Sequence, residues 1–289
     1  MAHKFGGIWT QKKLEILEQY LSFYSQALKN QGFCLHYVDA FAGTGSHNPE
    51  TDDIQSALIP CEDLRGSVVT ALTTSPAFHH YHFNDIDPEH IAALGKIRDE
   101  YPQCKINLTQ LDANDFAPEF CSRLTPNDRA VIFLDPYSTQ LNWETIENIA
   151  KSEKADIWLL FPISAILRLT PKKEDSLKES WRPIINRLLG TSDWESALYK
   201  PIEKPPISDL FDIQDESTTA ARINVKELEM WITARLREVF AWAAEPILLT
   251  NNGKPLFLFY FAISNRAPKA VGLAKKVANQ IIQKYKYRR

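Results

Sequence analysis

Five times within the first 163 residues, a short apolar run is followed by a stretch with helical character. The runs are Cys34 to Ala40, Phe78 to Asp85, Lys105 to Leu111, Arg129 to Leu134 and Asp156 to Ile163. Strands that alternate with helices are predicted to pair in parallel, because each crossover helix returns the chain to the same edge. The result is a doubly wound α/β sheet. The fourth run, Ala130-Val131-Ile132-Phe133-Leu134, is apolar on both faces, as a strand covered by helices on both sides must be. In such a sheet a ligand lies beyond the carboxyl ends of the strands.

The chemistry is therefore read from the residues that follow each strand. The first strand runs into Asp39-Ala40-Phe41-Ala42-Gly43-Thr44-Gly45. Gly43 and Gly45 permit positive φ and let a ligand lie against the backbone. The third glycine of the dinucleotide fingerprint is missing, since position 48 is Asn48, and no Gly-Lys-Ser/Thr follows. The stretch is read as the floor of a nucleoside-cofactor site. Asp85 ends the second strand, where a carboxylate can accept the hydroxyl protons of a ribose. Asp87, before Pro88, is the second choice and suits a helix N-cap. Asp112 ends the third strand and can accept an adenine amino group, with Asp115 read as a cap. Asp135-Pro136-Tyr137 ends the fourth. Asp135 can accept a hydrogen bond from a substrate amine or hydroxyl, and Tyr137 offers a flat ring for stacking.

The remaining segments frame this core. Gln11 to Asn30 is predicted to be a packing helix, capped by Thr10 and closed by Gly32. Ser46 to Arg65 is a long polar loop, either a lid or a surface connection. His79, His80 and His82 lie on one strand with no carboxylate or cysteine spaced nearby to complete a ligand set. They are read as hydrogen-bonded strand histidines, and no metal site is expected. The strand–helix rhythm stops after Arg168, and 170–220 is a helical and loop insertion, read as a cap or substrate side. It separates 1–169, the N-terminal helix and cofactor half, from 221–289, which completes the same domain. The last part contains a long helix from Asn224 to Ala243, then two apolar runs joined at Asn252-Gly253, a strong hairpin signal. A final helix runs from Pro268 to Tyr285, with a basic end expected to be solvated.

Composition narrows the classes. A formal net charge of -3 supplies no global field toward nucleic acid or anionic membrane. Cys34, Cys61, Cys104 and Cys121 are scattered, which suits a reducing cytosol and argues against a disulfide framework or zinc ribbon. The start carries no signal-peptide pattern and no run reaches membrane-spanning length, so a cytoplasmic location without membrane contact is expected.

Five strand–helix units followed by a helix and a late antiparallel hairpin resemble the class I S-adenosylmethionine-dependent methyltransferase fold. That resemblance implies a mostly parallel seven-stranded, Rossmann-like sheet with S-adenosylmethionine as cofactor. By it, Asp39, Phe41, Ala42, Gly43, Thr44 and Gly45 form the cofactor loop. Asp85 with Ile86 binds ribose, and Asp112 with Ala113 lies on the adenine side. Asp135, Pro136 and Tyr137 match the motif of amino-group methyltransferases with one proline missing. The chain also resembles the three-Cys-motif partner family of bacteria. That likeness is carried by Lys13 to Leu28, Tyr37 to Gly43, Arg65-Gly66-Ser67, Phe133 to Tyr137 with Trp143, and Leu256 to Asn265. It implies a companion protein bearing a three-cysteine, radical-type cluster.

The expected function is methyl transfer to a nitrogen or oxygen acceptor, with nucleic acid one candidate through Lys172, Lys173, Lys178, Arg182 and Arg187. A non-catalytic, cofactor-binding partner of the companion protein is the alternative. A nicotinamide oxidoreductase is disfavoured by the missing glycine and the hairpin.

Overall fold

The computed structural model describes residues 8–45, 66–201 and 220–286. The loop predicted over Ser46 to Arg65 and the 202–219 part of the insertion lie outside them. Helix α1 (Ile8–Leu28) leads into β1 (Cys34–Asp39) and α2 (Ser67–Leu72). Three units follow: β2 (His80–Asn84) with α3 (Pro88–Glu100), β3 (Ile106–Thr109) with α4 (Ala113–Ser122), and β4 (Asp128–Leu134) with α5 (Trp143–Lys151). Then come β5 (Ala155–Phe161) and α6 (Ile163–Leu169).

The main sheet has the order β3-β2-β1-β4-β5 in parallel. β10 (Lys254–Ile263) adds antiparallel to β5. Beyond β10 lie β8 (Trp242–Ala243) and β9 (Ile247–Asn251), paired with opposite ends of β10. These two short strands share one position, interrupted at Pro246, whose missing N–H cannot serve a ladder. The eight strands therefore fill seven positions, as the sequence predicts. The hairpin turn also forms as expected, with Asn252 at φ 49° and Gly253 at φ 74°.

Side-chain alternation gives the sheet two buried faces. Tyr37, Val131, Phe133, Trp158, Leu160, Phe259 and Phe261 pack under α1, α2, α3 and α10 (Pro268–Lys286). Val38, Ile132, Leu134, Ile157, Leu159, Leu258 and Tyr260 pack on the other side, under α4, α5, α6 and α9 (Val225–Val239). Full burial of each such side chain contributes about 1.5–3 kcal/mol. Asn224 caps α9 with a complete capping box to Glu227. The helix ends at Val239, short of the predicted Ala243, because Trp242 and Ala243 pair with β10 as β8. Thr10 does not cap α1: the helix begins at Ile8, and Thr10 is buried in its first turn. Trp9, whose ring sits 5.5 Å from that of Phe257, ties this turn to the sheet.

The insertion contains α7 (Arg182–Leu189), α8 (Trp194–Leu198) and a separate two-stranded sheet of β6 (Tyr199–Pro201) and β7 (Ala220–Arg222). Ile185, Leu188, Leu189, Trp194 and Leu198 are buried in the same core as α5 and α9.

Candidate functional site

Parallel register brings the predicted acids to one end of the sheet. Asp39 pairs in register with Phe83 and Phe133, so Asp85 and Asp135 lie two residues beyond its neighbours on either side. Thr109 pairs with Asn84, which carries Asp112 to the same end.

Asn84 holds these ends together. It is fully buried, and its Nδ2 donates to the Ala40 and Leu111 carbonyls at 3.1 and 3.0 Å. Its Oδ1 accepts from Leu111 N at 3.2 Å. One side chain thereby links the exits of β1, β2 and β3. Sequence reading passes over Asn84; its only local signal is an amide at the end of a buried strand.

The glycine loop is folded around carboxylates. Gly43 has φ 58°, and its N–H donates to Asp85 Oδ2 at 2.8 Å. Asp85 Oδ1 accepts from Asp87 N and faces His90 Nδ1 at 3.0 Å. A Cβ on Gly43 would meet none of the described residues within 4 Å, so among them this side of the loop is open. A Cβ on Gly45 would lie 2.6 Å from Ile97 and 2.9 Å from Leu94, so this glycine lets the loop pack on α3. Phe41 and Thr44 are half-buried and Ala42 is buried.

Asp39 is fully buried. Ser67, the first residue of α2, donates its hydroxyl to Asp39 Oδ2 at 2.5 Å, and Phe41 N donates to Oδ1 at 3.2 Å. Burial pushes the Asp39 pKa from 3.8 up to about 7, opposed by the Ser67 bond and reinforced by the Asp135 charge. Tyr37, on the same face, has a buried hydroxyl close to the Asp39 carboxyl. Burial and then the charge of Asp39 hold its pKa well above the usual phenol range.

Asp156 is the second such acid, raised by burial to about 7 although Tyr20 donates to it at 2.8 Å. Both acids favour the proton in the folded state. Their stabilising effect is complete below the unfolded value near 3.8 and is lost as pH rises through about 7. A rise from 3.8 to about 7 corresponds to roughly 4 kcal/mol per group. Thermal melts should accordingly fall between pH 5 and pH 8. Asp39→Asn should flatten that fall, and an unchanged slope would refute the assignment.

Asp135 has an unforeseen partner. Lys13 Nζ, 122 residues away on α1, donates to Asp135 Oδ2 at 2.5 Å. The lysine side chain is only 6% exposed and the aspartate 26%. Lys13 also lies 5.4 Å from the Trp9 ring centre and 5.7 Å from that of Phe133. Among the described residues, no hydrogen bond engages Asp135 Oδ1. Lys13 thus fixes one carboxylate oxygen and leaves the other toward the sheet end.

The following turn is held in shape. Ser138 has φ 53°, a left-handed conformation rare for serine. Gln140 Oε1 accepts from Tyr137 N, and Asn114 Nδ2 donates to the Gln140 carbonyl. Arg187 of α7 reaches the Thr139 carbonyl at 3.4 Å, placing the insertion beside this turn. Pro136 is buried while Tyr137 is 72% exposed.

Asp87 is the N-cap of α3, accepting from Glu89 N. Asp112 is the N-cap of α4 and accepts from the backbone and side chain of Asn114. Asp115, read as a cap, sits inside the first turn instead, because Asp112 immediately precedes the helix. Asp112 stays exposed, and Ala113 behind it is buried. Ile86, Leu111 and Tyr137 are large apolar side chains exposed at the ends of β2, β3 and β4. These three solvated apolar groups stand at the same sheet end as Asp85, Asp112 and Asp135, with Asp39 buried beneath, and make an amphipathic surface suited to a planar, polar-edged ligand.

His79 and His82 are hydrogen-bonded on their strand: His79 Nδ1 accepts from Leu35 N at 2.9 Å, and His82 Nε2 lies 3.1 Å from His36 Nδ1. What local spacing does not show is that β1 and β4 bring Cys34, His36 and Asp128 together beside His80 and His82. This cluster lies at the opposite end of the sheet.

The strand order, with antiparallel β10 between β5 and a split edge strand, defines a class I methyltransferase-like fold. Protein LPL1258 from Legionella pneumophila shares the fold, at TM-score 0.52 and 12% identity over 97% of this chain and 94% of that one. An S-adenosylmethionine-dependent methyltransferase from Clostridium acetobutylicum is similar at TM-score 0.36 and 10% identity, over 88% and 91%. The fold assignment rests on strand order and on the first of these. No family model and no curated protein matches the chain in sequence. No helix among the described residues is long and apolar enough to cross a membrane.

Proposed function

We propose that this chain binds S-adenosylmethionine at the ends of β1 to β4 and transfers its methyl group to a nitrogen or oxygen acceptor held at Asp135. The observation that carries this reading is the convergence of Asp39, Asp85, Asp112 and Asp135 with exposed Ile86, Leu111 and Tyr137 on one sheet end.

The residues fit such a cofactor. The open side of Gly43 admits a ligand against the backbone, and Asp85 presents a carboxylate to ribose hydroxyls. Ile86 and Leu111 offer apolar surface to a purine, with Asp112 at its polar edge. The Gly43–Gly45 backbone would face the amino-acid end, with Asp39 holding the loop from beneath through Ser67 and Phe41 N. When bound, the cofactor supplies an electrophilic methyl on a neutral leaving group, so the protein's task is orientation and exclusion of water.

Lys13 shapes the acceptor side. Its ammonium engages Oδ2 and, among the described residues, leaves Oδ1 to an acceptor. Asp135 then acts chiefly by accepting a hydrogen bond through Oδ1 and aiming the acceptor lone pair at the methyl. Tyr137 stacks on the acceptor, and the insertion, through Arg187, borders the substrate side. We further propose a companion protein with a three-cysteine cluster, on the resemblance of the sequence alone. Nucleic acid is an acceptor candidate through Lys172 and Lys173. Arg182 is less available, being paired with Glu179 and Glu195.

The second reading is a cofactor-binding partner without turnover, and the Lys13–Asp135 pair favours it by already occupying the acceptor carboxylate. Calorimetric titration should give saturable binding of S-adenosylmethionine and none of NAD. No heat with either ligand would leave a scaffold. Binding without methylation of the companion or of RNA would support the second reading.

A further inference from the structure

The sheet end opposite the acids carries a constellation that the proposed methyl transfer does not use. Cys34 opens β1 and Asp128 opens β4, and the two are register partners. His36 follows two residues after Cys34, on the same strand face. One ligand atom from each of Cys34, His36 and Asp128 lies within 4.8 Å of the others. We propose that these three side chains bind a zinc-class transition-metal ion through the Cys34 thiolate, His36 Nε2 and Asp128 Oδ1, with solvent in the fourth position.

The geometry is close to what an ion requires. His36 Nε2 and Asp128 Oδ1 are 3.1 Å apart. Two tetrahedral ligands at bond lengths of about 2.1 Å are roughly 3.4 Å apart, so small side-chain movements suffice. All three residues are half-buried, so an ion can enter from solvent.

The ligands are also held by groups that are not themselves ligands. Asp128 Oδ2 accepts from both the N–H and the hydroxyl of Thr125 at 2.7 Å, which turns Oδ1 toward the cluster. His36 Nδ1 lies 3.1 Å from His82 Nε2, so its N–H has an acceptor while Nε2 stays directed at Asp128. His80 stacks on His36 at 5.1 Å and 15°, and Phe120 packs edge-on against the same ring. Outer-shell partners of this kind fix imidazole orientation and carboxylate direction at metal centres. The donor set of thiolate, imidazole and carboxylate selects zinc or cobalt over calcium or magnesium.

The competing account is a metal-free chain of hydrogen bonds, Asp128 to His36 to His82. Cobalt titration of the chelator-stripped full chain separates the two. One equivalent of Co²⁺ should bind with a thiolate-to-cobalt charge-transfer band and four-coordinate visible absorption, and Zn²⁺ should displace it. Cys34→Ser should abolish the band and weaken binding at least about tenfold. Thr125→Ala should weaken it about 10- to 100-fold, as expected for an outer-shell partner. Cys104→Ser, away from the cluster, should leave both unchanged. Zn²⁺ should raise the melting temperature of the native chain and not of Cys34→Ser. A missing band, or one that survives Cys34→Ser, overturns the site and leaves the hydrogen-bond chain.

Discussion

Asp135→Ala is expected to reduce methyl transfer by at least about 10²-fold while S-adenosylmethionine binding stays within a few-fold. The carboxylate lies beyond β4, and its free Oδ1 is the group available to orient an acceptor. The cofactor contacts, by contrast, come from Gly43, Asp85 and Asp112. The variant has a second effect. Lys13 Nζ, 6% exposed, loses its partner, and a stranded buried donor costs about 1–3 kcal/mol or more. Melting must therefore be measured beside turnover. Asp135→Asn keeps the shape and an acceptor oxygen but removes the charge that pairs with Lys13. It should retain more transfer than the alanine variant if orientation dominates. Full turnover in Asp135→Ala would remove Asp135 from the acceptor site. Loss of cofactor binding together with transfer would place it instead in the cofactor half.

Asn84→Ala is expected to lower stability and cofactor affinity together. The amide makes three hydrogen bonds with the backbone of Ala40 and Leu111, all at a fully buried position. Removing it leaves two carbonyls and an N–H without that partner, at about 1–3 kcal/mol for each group left unsatisfied. A combined loss on the order of 3 kcal/mol corresponds to a melting shift of roughly 5 °C for a chain of this size. The β1 exit continues into Gly43, so slackening it should weaken S-adenosylmethionine binding at least tenfold. Asn84→Asp is the sharper variant. It preserves volume, yet an ionised aspartate cannot donate to either carbonyl. Melting within about 1 °C of the parent chain would show that the strand exits are held by other contacts.

Much of the framework was legible because it depends on neighbours in sequence. Apolar runs and helical spacing mark the five strand–helix units. Pro88 after Asp87 marks the start of α3, and Asn252-Gly253 marks the hairpin. The acids were legible for the same reason, since each directly follows its strand. Errors of detail also came from local rules. Thr10 suits a cap, but it lies inside α1 and is buried there. Asp115 suits a cap as well, but Asp112 takes that role.

What stayed hidden depends on which strands become neighbours. The sequence offers Asp135 as an acceptor for a substrate amine or hydroxyl, and only α1 lying across the sheet reveals that Lys13 clamps it from 122 residues away. Asn84 appeared as a strand residue until β1 and β3 closed on both sides of it. His36 and Asp128 are 92 residues apart, and β1 pairing with β4 makes them contacts. By itself, the sequence determined the kind of sheet and the acids at its carboxyl ends, because period and turn chemistry act over a few residues. Tertiary structure decided how those acids are held, and which thiol, imidazole and carboxylate meet at the far end. Side chains separated by tens of residues are brought into contact only by the order in which the strands pair.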